Sequence, residues 1–171
     1  YYPIVFPSEG LVPMALLSVK QGENRYLDDK GQWTVPYVPA HIRRYPFILA
    51  KGKDSDQFAV CIAPEAPHFK QEGGTPLFTD NGEPSELLSN AIDFLKQYQA
   101  DMHATENLLK PLQENELLVA RQINIDMNGQ KSTIRGFRAI DRDKVNQLAD
   151  AVLGQWVKSG LMGIIYSHLI S

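Results

Sequence analysis

The chain has 171 residues, of which 43% are hydrophobic, and a formal net charge of −3 at pH 7. This length and apolar content suit one domain with its own core, and the acidic balance argues against broad nucleic-acid binding, which favours a basic face. The single cysteine excludes an internal disulfide, and no apolar run approaches the roughly 18 residues that would span a bilayer.

Residues 1–82 have the short apolar periods and frequent turns that are typical of β-structure. The polar, glycine-containing segment 51–56 lies between the apolar runs 46–50 and 58–62, and it predicts the loop of a hairpin that joins them. The predicted strands are Tyr2–Phe6, Met14–Lys20, Pro46–Ala50 and Phe58–Ile62.

Helical periodicity starts after Pro84, a residue that suits the first position of a helix. Apolar residues then recur at spacings of three and four as far as Met102, so one face of this helix is expected to be buried. A second helical stretch begins at Thr105. Pro111 cannot occupy a helix interior without a kink, so regular helix is expected to end near it. The apolar face consists of Leu87, Leu88, Ala91, Ile92, Leu95, Tyr98 and Met102.

The C-terminal third predicts a hairpin followed by helix. The Asn128-Gly129 pair is the strongest two-residue turn signal in the chain, and it separates the predicted strands Leu117–Asp126 and Thr133–Arg138. Asp141 is a good N-cap for one long helix, which Gly160 is expected to end. Helical spacing resumes at Leu161 and still runs at Ser171, so we expect the native helix to continue.

These elements predict an α+β fold, in which antiparallel strands and hairpins pack with two or three long helices. The strands come in hairpin-linked clusters and do not alternate with helices, which argues against a doubly wound parallel sheet.

The order and spacing of several segments resemble the bacterial SapC family, which is named for a gene of surface-layer loci. The resemblance implies a link to the cell surface and one domain over residues 1–171, trimmed at both ends. It brings no established catalytic residues. A peptide-transporter permease of similar name is excluded, because this chain has no membrane span. The matching segments are Tyr2–Phe6, Gly22–Asn24, Tyr37–Phe47, Phe78–Glu86, Gly136–Asp141 and Ile165–Ser171.

The segment Tyr37–Phe47 is the candidate ligand site, because it concentrates cationic and aromatic groups between prolines that restrict the backbone. Arginine forks suit a carboxylate or phosphate, and aromatic rings can stack a planar or apolar ligand part. We therefore expect a small anionic ligand or an acidic peptide end. The residues expected to bind it are His41, Arg43, Arg44 and Tyr45.

A purely structural role competes with this interpretation. Adjacent side chains on a strand face opposite ways, so one arginine of the pair would point inward. It would then pair with an acid and act as a structural hub. The acids considered for that pairing are Asp28, Asp80 and Glu83.

The other reactive residue types favour structural roles. No two of the four histidines have a short ligand spacing, so we expect no metal site, and no motif indicates a cofactor. His168 is expected to be a hydrogen-bonded structural histidine, and Cys61 an inert buried thiol within a strand. Asp80, Glu83 and Glu86 surround a helix start, where acids favour the helix dipole. The histidines are His41, His68, His103 and His168.

Three classes of function follow. We favour a non-catalytic accessory or binding protein associated with the bacterial cell envelope or surface layer, whose partner is a small anion or an envelope protein. One alternative is an enzyme with an anion-binding site around His41, Arg43 and Arg44. The other is a structural subunit of a surface assembly, which should expose large apolar patches for self-association. The sequence leaves open a cytoplasmic or an envelope location for this soluble protein.

Overall fold

A computed structural model describes residues 1–51, 58–69, 73–127 and 130–171. The strands and helices form an α+β fold with antiparallel sheets, as the sequence predicts. In chain order they are β1 Ile4–Pro7, β2 Met14–Ala15, α1 Ala40–Arg43, β3 Phe47–Lys51, β4 Phe58–Ile62, α2 Glu86–Glu114, β5 Leu118–Met127, β6 Gln130–Ile140, α3 Arg142–Asn146, α4 Asp150–Ser159 and α5 Leu161–Ile170.

The chain separates into two compact units, which are described one at a time. The larger unit contains residues 1–37 and 103–171, and the smaller unit contains residues 38–102. The expectation that the whole chain is one domain stays a prediction.

The larger unit is built on a four-stranded antiparallel sheet in the order β2-β1-β6-β5. Strands β5 and β6 pair from Leu118 opposite Ile140 to Met127 opposite Gln130, with a register shift between Arg121 and Ile123. The antiparallel pairing is therefore as expected. The Asn128-Gly129 turn that should join these strands lies outside the described residues.

The core of the larger unit is formed by apolar residues from β1, β6 and every helix that enters this unit. Removing such side chains from water is the main favourable term in folding. The buried members are Phe6, Leu11, Leu109, Leu112, Leu117, Ile140, Val145, Trp156, Leu161 and Ile165.

His168 joins α5 to two strands of this unit. The backbone N–H of Ile140 in β6 donates to His168 Nε2 over 3.0 Å, and His168 Nδ1 lies 2.8 Å from the carbonyl oxygen of Ile4 in β1. Because Nε2 accepts, the proton of the neutral ring must be on Nδ1, from which it donates to Ile4. The expected structural histidine is confirmed.

The smaller unit contains α1, the hairpin of β3 and β4, and the first half of α2. Phe47 and Ile62 are paired at one end of the hairpin, and Lys51 and Phe58 at the other. The hairpin packs on α2 through a compact apolar cluster. That cluster contains Phe47, Leu88 and Leu95, with Leu49, Phe69, Leu77, Ala91 and Ile92 against it.

Helix α2 is longer than the sequence suggests, because the two predicted stretches form one helix that includes Pro111. Pro111 lies in the last turn, so its missing N–H group costs one hydrogen bond but the helix has only three residues left after it. The helix then ends in a Schellman-type bond from the N–H of Leu117 to the carbonyl oxygen of Leu112, with Glu116 at a φ of 52°.

The single long helix expected after Asp141 is wrong, because α3 and α4 are separate. Asp141 does cap α3, where its side chain accepts from the N–H groups of Asp143 and Lys144. A new helix begins after Ala149, whose backbone is extended. Asp150 is its first residue, and a carboxylate is favourable at this end of the helix dipole. The apolar spacing of the sequence does not mark this break.

Gly160 separates α4 from α5 in the left-handed conformation, with a φ of 83°, and therefore ends α4 as predicted. We expect Gly160→Ala to lower the free energy of unfolding by about 1 kcal/mol, because Cβ disfavours positive φ. The matched variant Gly154→Ala lies inside α4 with open space for a Cβ. It should raise the free energy by up to about 1 kcal/mol. Urea denaturation of both variants measures this difference in sign, and equal effects would contradict it.

His168 should make the stability of the protein depend on pH. Burial lowers the pKa of the His168 imidazole, against the opposing effect of its hydrogen bond to Ile4. The unfolded chain therefore binds more protons, and stability falls as the pH drops below the ordinary histidine pKa of about 6.5. We expect His168→Gln to lose roughly 1–3 kcal/mol at neutral pH and to weaken this pH dependence. Denaturation with the exposed His103→Gln as control tests both, and an unchanged pH profile in His168→Gln would contradict the assignment.

Candidate functional site

Arg43 and Arg44 lie on a helical turn, since α1 ends at Arg43 and Arg44 still has helical backbone angles. The expectation that the pair lies on a strand, with one side chain inward, is therefore wrong. Neighbours on a helix differ by about 100° in direction, so both guanidiniums can reach the same side. Pro39, at the N-cap of this helix, has no N–H group that needs a partner, and its carbonyl oxygen accepts from the N–H groups of Ile42 and Arg43.

Two aromatic rings of α2 hold these guanidiniums. Arg43 Cζ lies 5.1 Å from the centroid of the Phe94 ring, and Arg44 Cζ lies 5.2 Å from that of Tyr98. The rings are four residues apart, so they project from one face of the helix. Such contacts contribute about 0.5–2 kcal/mol each. Stacking uses the face of a guanidinium, so its hydrogen bonds form at the edge.

Both arginines line a cleft of about 840 Å³ within the smaller unit. Apolar and aromatic side chains form the larger part of its wall, and six polar side chains also line it. The apolar lining comes from Pro46, Phe47, Phe69, Pro76, Leu77, Leu87, Ala91 and Phe94. The polar lining comes from Arg43, Arg44, Tyr45, His68, Thr75 and Asn90, and Gly73 and Gly74 complete the wall.

His41 lies beside the arginines and does not line this cleft. Its Nδ1 is 3.3 Å from the Tyr98 hydroxyl, and its Nε2 is 3.4 Å from Arg44 Nη2. Loss of hydration lowers the pKa of His41, and the positive charge of Arg44 lowers it further. A smaller cavity of about 580 Å³ is lined by His41, Ile42, Arg43, Tyr45 and His68.

Tyr45 lines both cavities, as Arg43 and His68 do. It is half exposed, and its ring meets that of His68 edge-on with centroids 5.3 Å apart. Of the residues expected to bind a ligand, three line the larger cleft: Arg43, Arg44 and Tyr45. The fourth, His41, contacts Arg44 and lines the smaller cavity.

The structure also brings Phe94, Phe69 and His68 to the cleft, and these are not among the residues predicted to bind a ligand. Phe94 lies seven residues after Leu87, and both border the face of α2 assigned to the core. Leu87 was expected to be buried but is 41% exposed, because it faces the cleft. That spacing could have indicated a half-open helix face.

Two of the acids proposed as structural partners, Asp80 and Glu83, do not pair with Arg44. Within the described part of residues 38–102, no carboxylate lies within ion-pair distance of its guanidinium. Asp80 and Glu83 belong to an exposed turn, which is closed by the N–H of Thr79 donating to the carbonyl oxygen of Glu83 over 2.8 Å. Glu86 is the first residue of α2, where it favours the helix dipole as expected.

The remaining reactive groups are dispersed. Among the residues that the structure describes, no three of His, Cys, Asp and Glu come close enough to hold a metal ion. Cys61 lies within β4 as expected, but it is half-buried, not fully buried.

The pKa of His41 should depend on the positive charge of Arg44. We expect Arg44→Gln to raise this pKa, because the repulsion between Arg44 and the imidazolium is removed. The pKa should stay below about 6.5, because the loss of hydration remains. Histidine titration by NMR measures the shift, with Lys96→Gln as a control for removing one positive charge elsewhere. A pKa that is unchanged in Arg44→Gln would contradict the contact.

Comparison with known proteins gives one identification, at the level of the family. No curated protein and no solved structure matches the chain. No helix in the described ranges is long and apolar enough to cross a membrane. The family model described as SapC matches residues 1–171, the whole of the sequence. The chain therefore belongs to the SapC family.

Proposed function

We propose that this protein is a non-catalytic binding protein, whose cleft in the smaller unit holds a small organic anion with an apolar or aromatic body. The observation that carries the proposal is that two adjacent guanidiniums open onto one cleft whose remaining wall is mainly apolar. Its volume of about 840 Å³ lies within the range of about 300–1,000 Å³ that small-molecule sites have.

Arg44 supports the anionic part of the proposal. It is half-buried, stacked on Tyr98, and without a carboxylate at ion-pair distance among the described residues of its unit. A cation in partly apolar surroundings gains from a counter-ion, and a carboxylate or phosphate matches the guanidinium fork. Arg43 enters the same cleft and adds a second positive charge.

The apolar part of the proposal rests on the aromatic walls. The rings of Phe47 and Phe69 meet edge-on, with centroids 5.9 Å apart, and Phe94 completes the aromatic lining under Arg43. Neutral polar groups from Thr75 and Asn90 enter the cleft as well, and they can orient a bound molecule by hydrogen bonding. A ligand that is apolar at one end and anionic at the other satisfies all of these groups together.

The association with the bacterial cell envelope or surface layer is a further part of the proposal, and membership of the SapC family supports it. An enzyme with the same anion site is the alternative. It would need a group that moves a proton near the bound anion. His41, whose pKa is lowered and whose ring contacts Arg44, is the group suited to that role.

Paired probes test the proposal. We expect 1-naphthylacetate to raise the melting temperature of the protein, and the neutral 1-naphthylacetamide, of nearly equal size, to raise it far less. A ligand that binds only the folded state stabilises it in proportion to the logarithm of its concentration above Kd. Arg44→Gln should abolish most of the difference between the two probes, since the amide already lacks the charge.

The control is Lys96→Gln, which removes one positive charge from α2 at an exposed position outside the cleft. The Lys96→Gln variant should still be stabilised more by 1-naphthylacetate than by 1-naphthylacetamide. Equal stabilisation by acid and amide in the native protein would overturn the anionic part of the proposal. Stabilisation by neither would overturn the binding site.

A further inference from the structure

In the part of the chain that the structure describes, the second strand of the smaller unit's hairpin has one edge without a partner strand. β3 and β4 form a two-stranded sheet, and among the described residues no strand pairs with the other edge of β4. β4 contains no charged residue and no proline. Natural edge strands are usually protected from pairing by such residues. An unprotected edge therefore indicates a place where another strand binds.

The hydrogen bonds of the hairpin show which backbone groups face that edge. The N–H of Ala63 donates to the carbonyl oxygen of Pro46 over 3.1 Å, just beyond the pair of Phe47 and Ile62. Alternate residues of an antiparallel strand direct their backbone groups to opposite sides. The N–H and C=O groups of Phe58, Val60 and Ile62 therefore point away from β3.

The same three residues also share a side-chain face. Their partners on β3 are Lys51, Leu49 and Phe47, so they continue the face that packs on α2. The helix does not cover them. Phe58 is 50% exposed, Val60 36% and Ile62 44%.

The order of side-chain sizes along β4 is nearly palindromic: large, small, large, small, large, in Phe58-Ala-Val-Cys-Ile62. If two copies meet antiparallel about Val60, then Phe58 of each copy lies opposite Ile62 of the other, and the two Val60 residues face each other. All large residues then share one face. Because the outward groups at these positions are in register, about six backbone hydrogen bonds can form.

We infer that β4 pairs with β4 of a second copy of this chain, which joins two hairpins into one four-stranded sheet. The inference is independent of the cleft and its ligand. The absence of charge on β4 means that identical strands approach without repulsion. A two-fold contact uses the same patch on both copies and closes on itself, so it yields a dimer and no extended array. The small contact implies a weak dimer that dissociates on dilution.

Sedimentation velocity over a wide range of concentration is the first test. We expect reversible dimerisation in the native protein, and at least about tenfold weaker dimerisation in Val60→Lys, which places like charges opposite each other across the axis. Circular dichroism of Val60→Lys establishes that the variant is folded. A native protein that stays monomeric at every concentration would overturn the inference, and so would a folded Val60→Lys variant that dimerises like the native protein.

Crosslinking supplies a second test that does not depend on a disruptive variant. The Val60 Cα atoms of the two copies would be about 5.5 Å apart, a distance that a disulfide accommodates. In a Cys61→Ala background, Val60→Cys should form a linked dimer on mild oxidation much faster than Ile48→Cys. Ile48 is 45% exposed but lies on β3, away from the axis. Equal rates for the two variants would overturn the pairing.

Discussion

The larger unit depends on one imidazole that is hydrogen-bonded on both sides. His168 accepts from β6 and donates to β1, so it attaches the last helix to two neighbouring strands at once. A neutral histidine is suited to this position because one ring nitrogen donates while the other accepts. Both bonds go to backbone atoms of the sheet, so the ring attaches α5 directly to the two strands.

In the smaller unit, two cationic side chains, Arg43 and Arg44, lie next to each other. Helix α2 offers a ring to each arginine, and the rings are spaced by one helical turn. The attraction between a ring and a guanidinium offsets part of the repulsion between the arginines. His41 completes the arrangement as a neutral neighbour, because its lowered pKa keeps a third positive charge away. The result is a preorganised cationic edge on an apolar cleft.

The sequence predicted most elements, because their signals are local. β4 begins and ends where its apolar run does, and Gly160 ends α4 as a glycine after a helical stripe should. The separation of α3 from α4 could not be predicted from apolar spacing, because both helices continue the same stripe. The extent of α2 was missed since Pro111 lies in its last turn.

The candidate site was predicted only in part, for a similar physical reason. The arginine pair stands out in the sequence because charge is rarely placed so close to large apolar groups. The cleft itself depends on which residues of α2 the hairpin leaves uncovered, and that is a property of tertiary packing. Phe94 and Leu87 lie seven residues apart at the border of the apolar face, a spacing that is typical of a half-open face but does not indicate what covers it.

The position of the hairpin in the chain has a consequence for synthesis on the ribosome. β3 and β4 leave the ribosome before Leu88 and Leu95, the α2 residues that complete their core. A two-stranded hairpin is marginal in water without a third element. The nascent chain therefore carries an apolar strand pair that has no cover until α2 has been made. During that interval an uncharged strand is open to misassembly with neighbouring chains, so the rate at which α2 emerges and folds becomes a determinant of how much correctly folded protein a cell obtains.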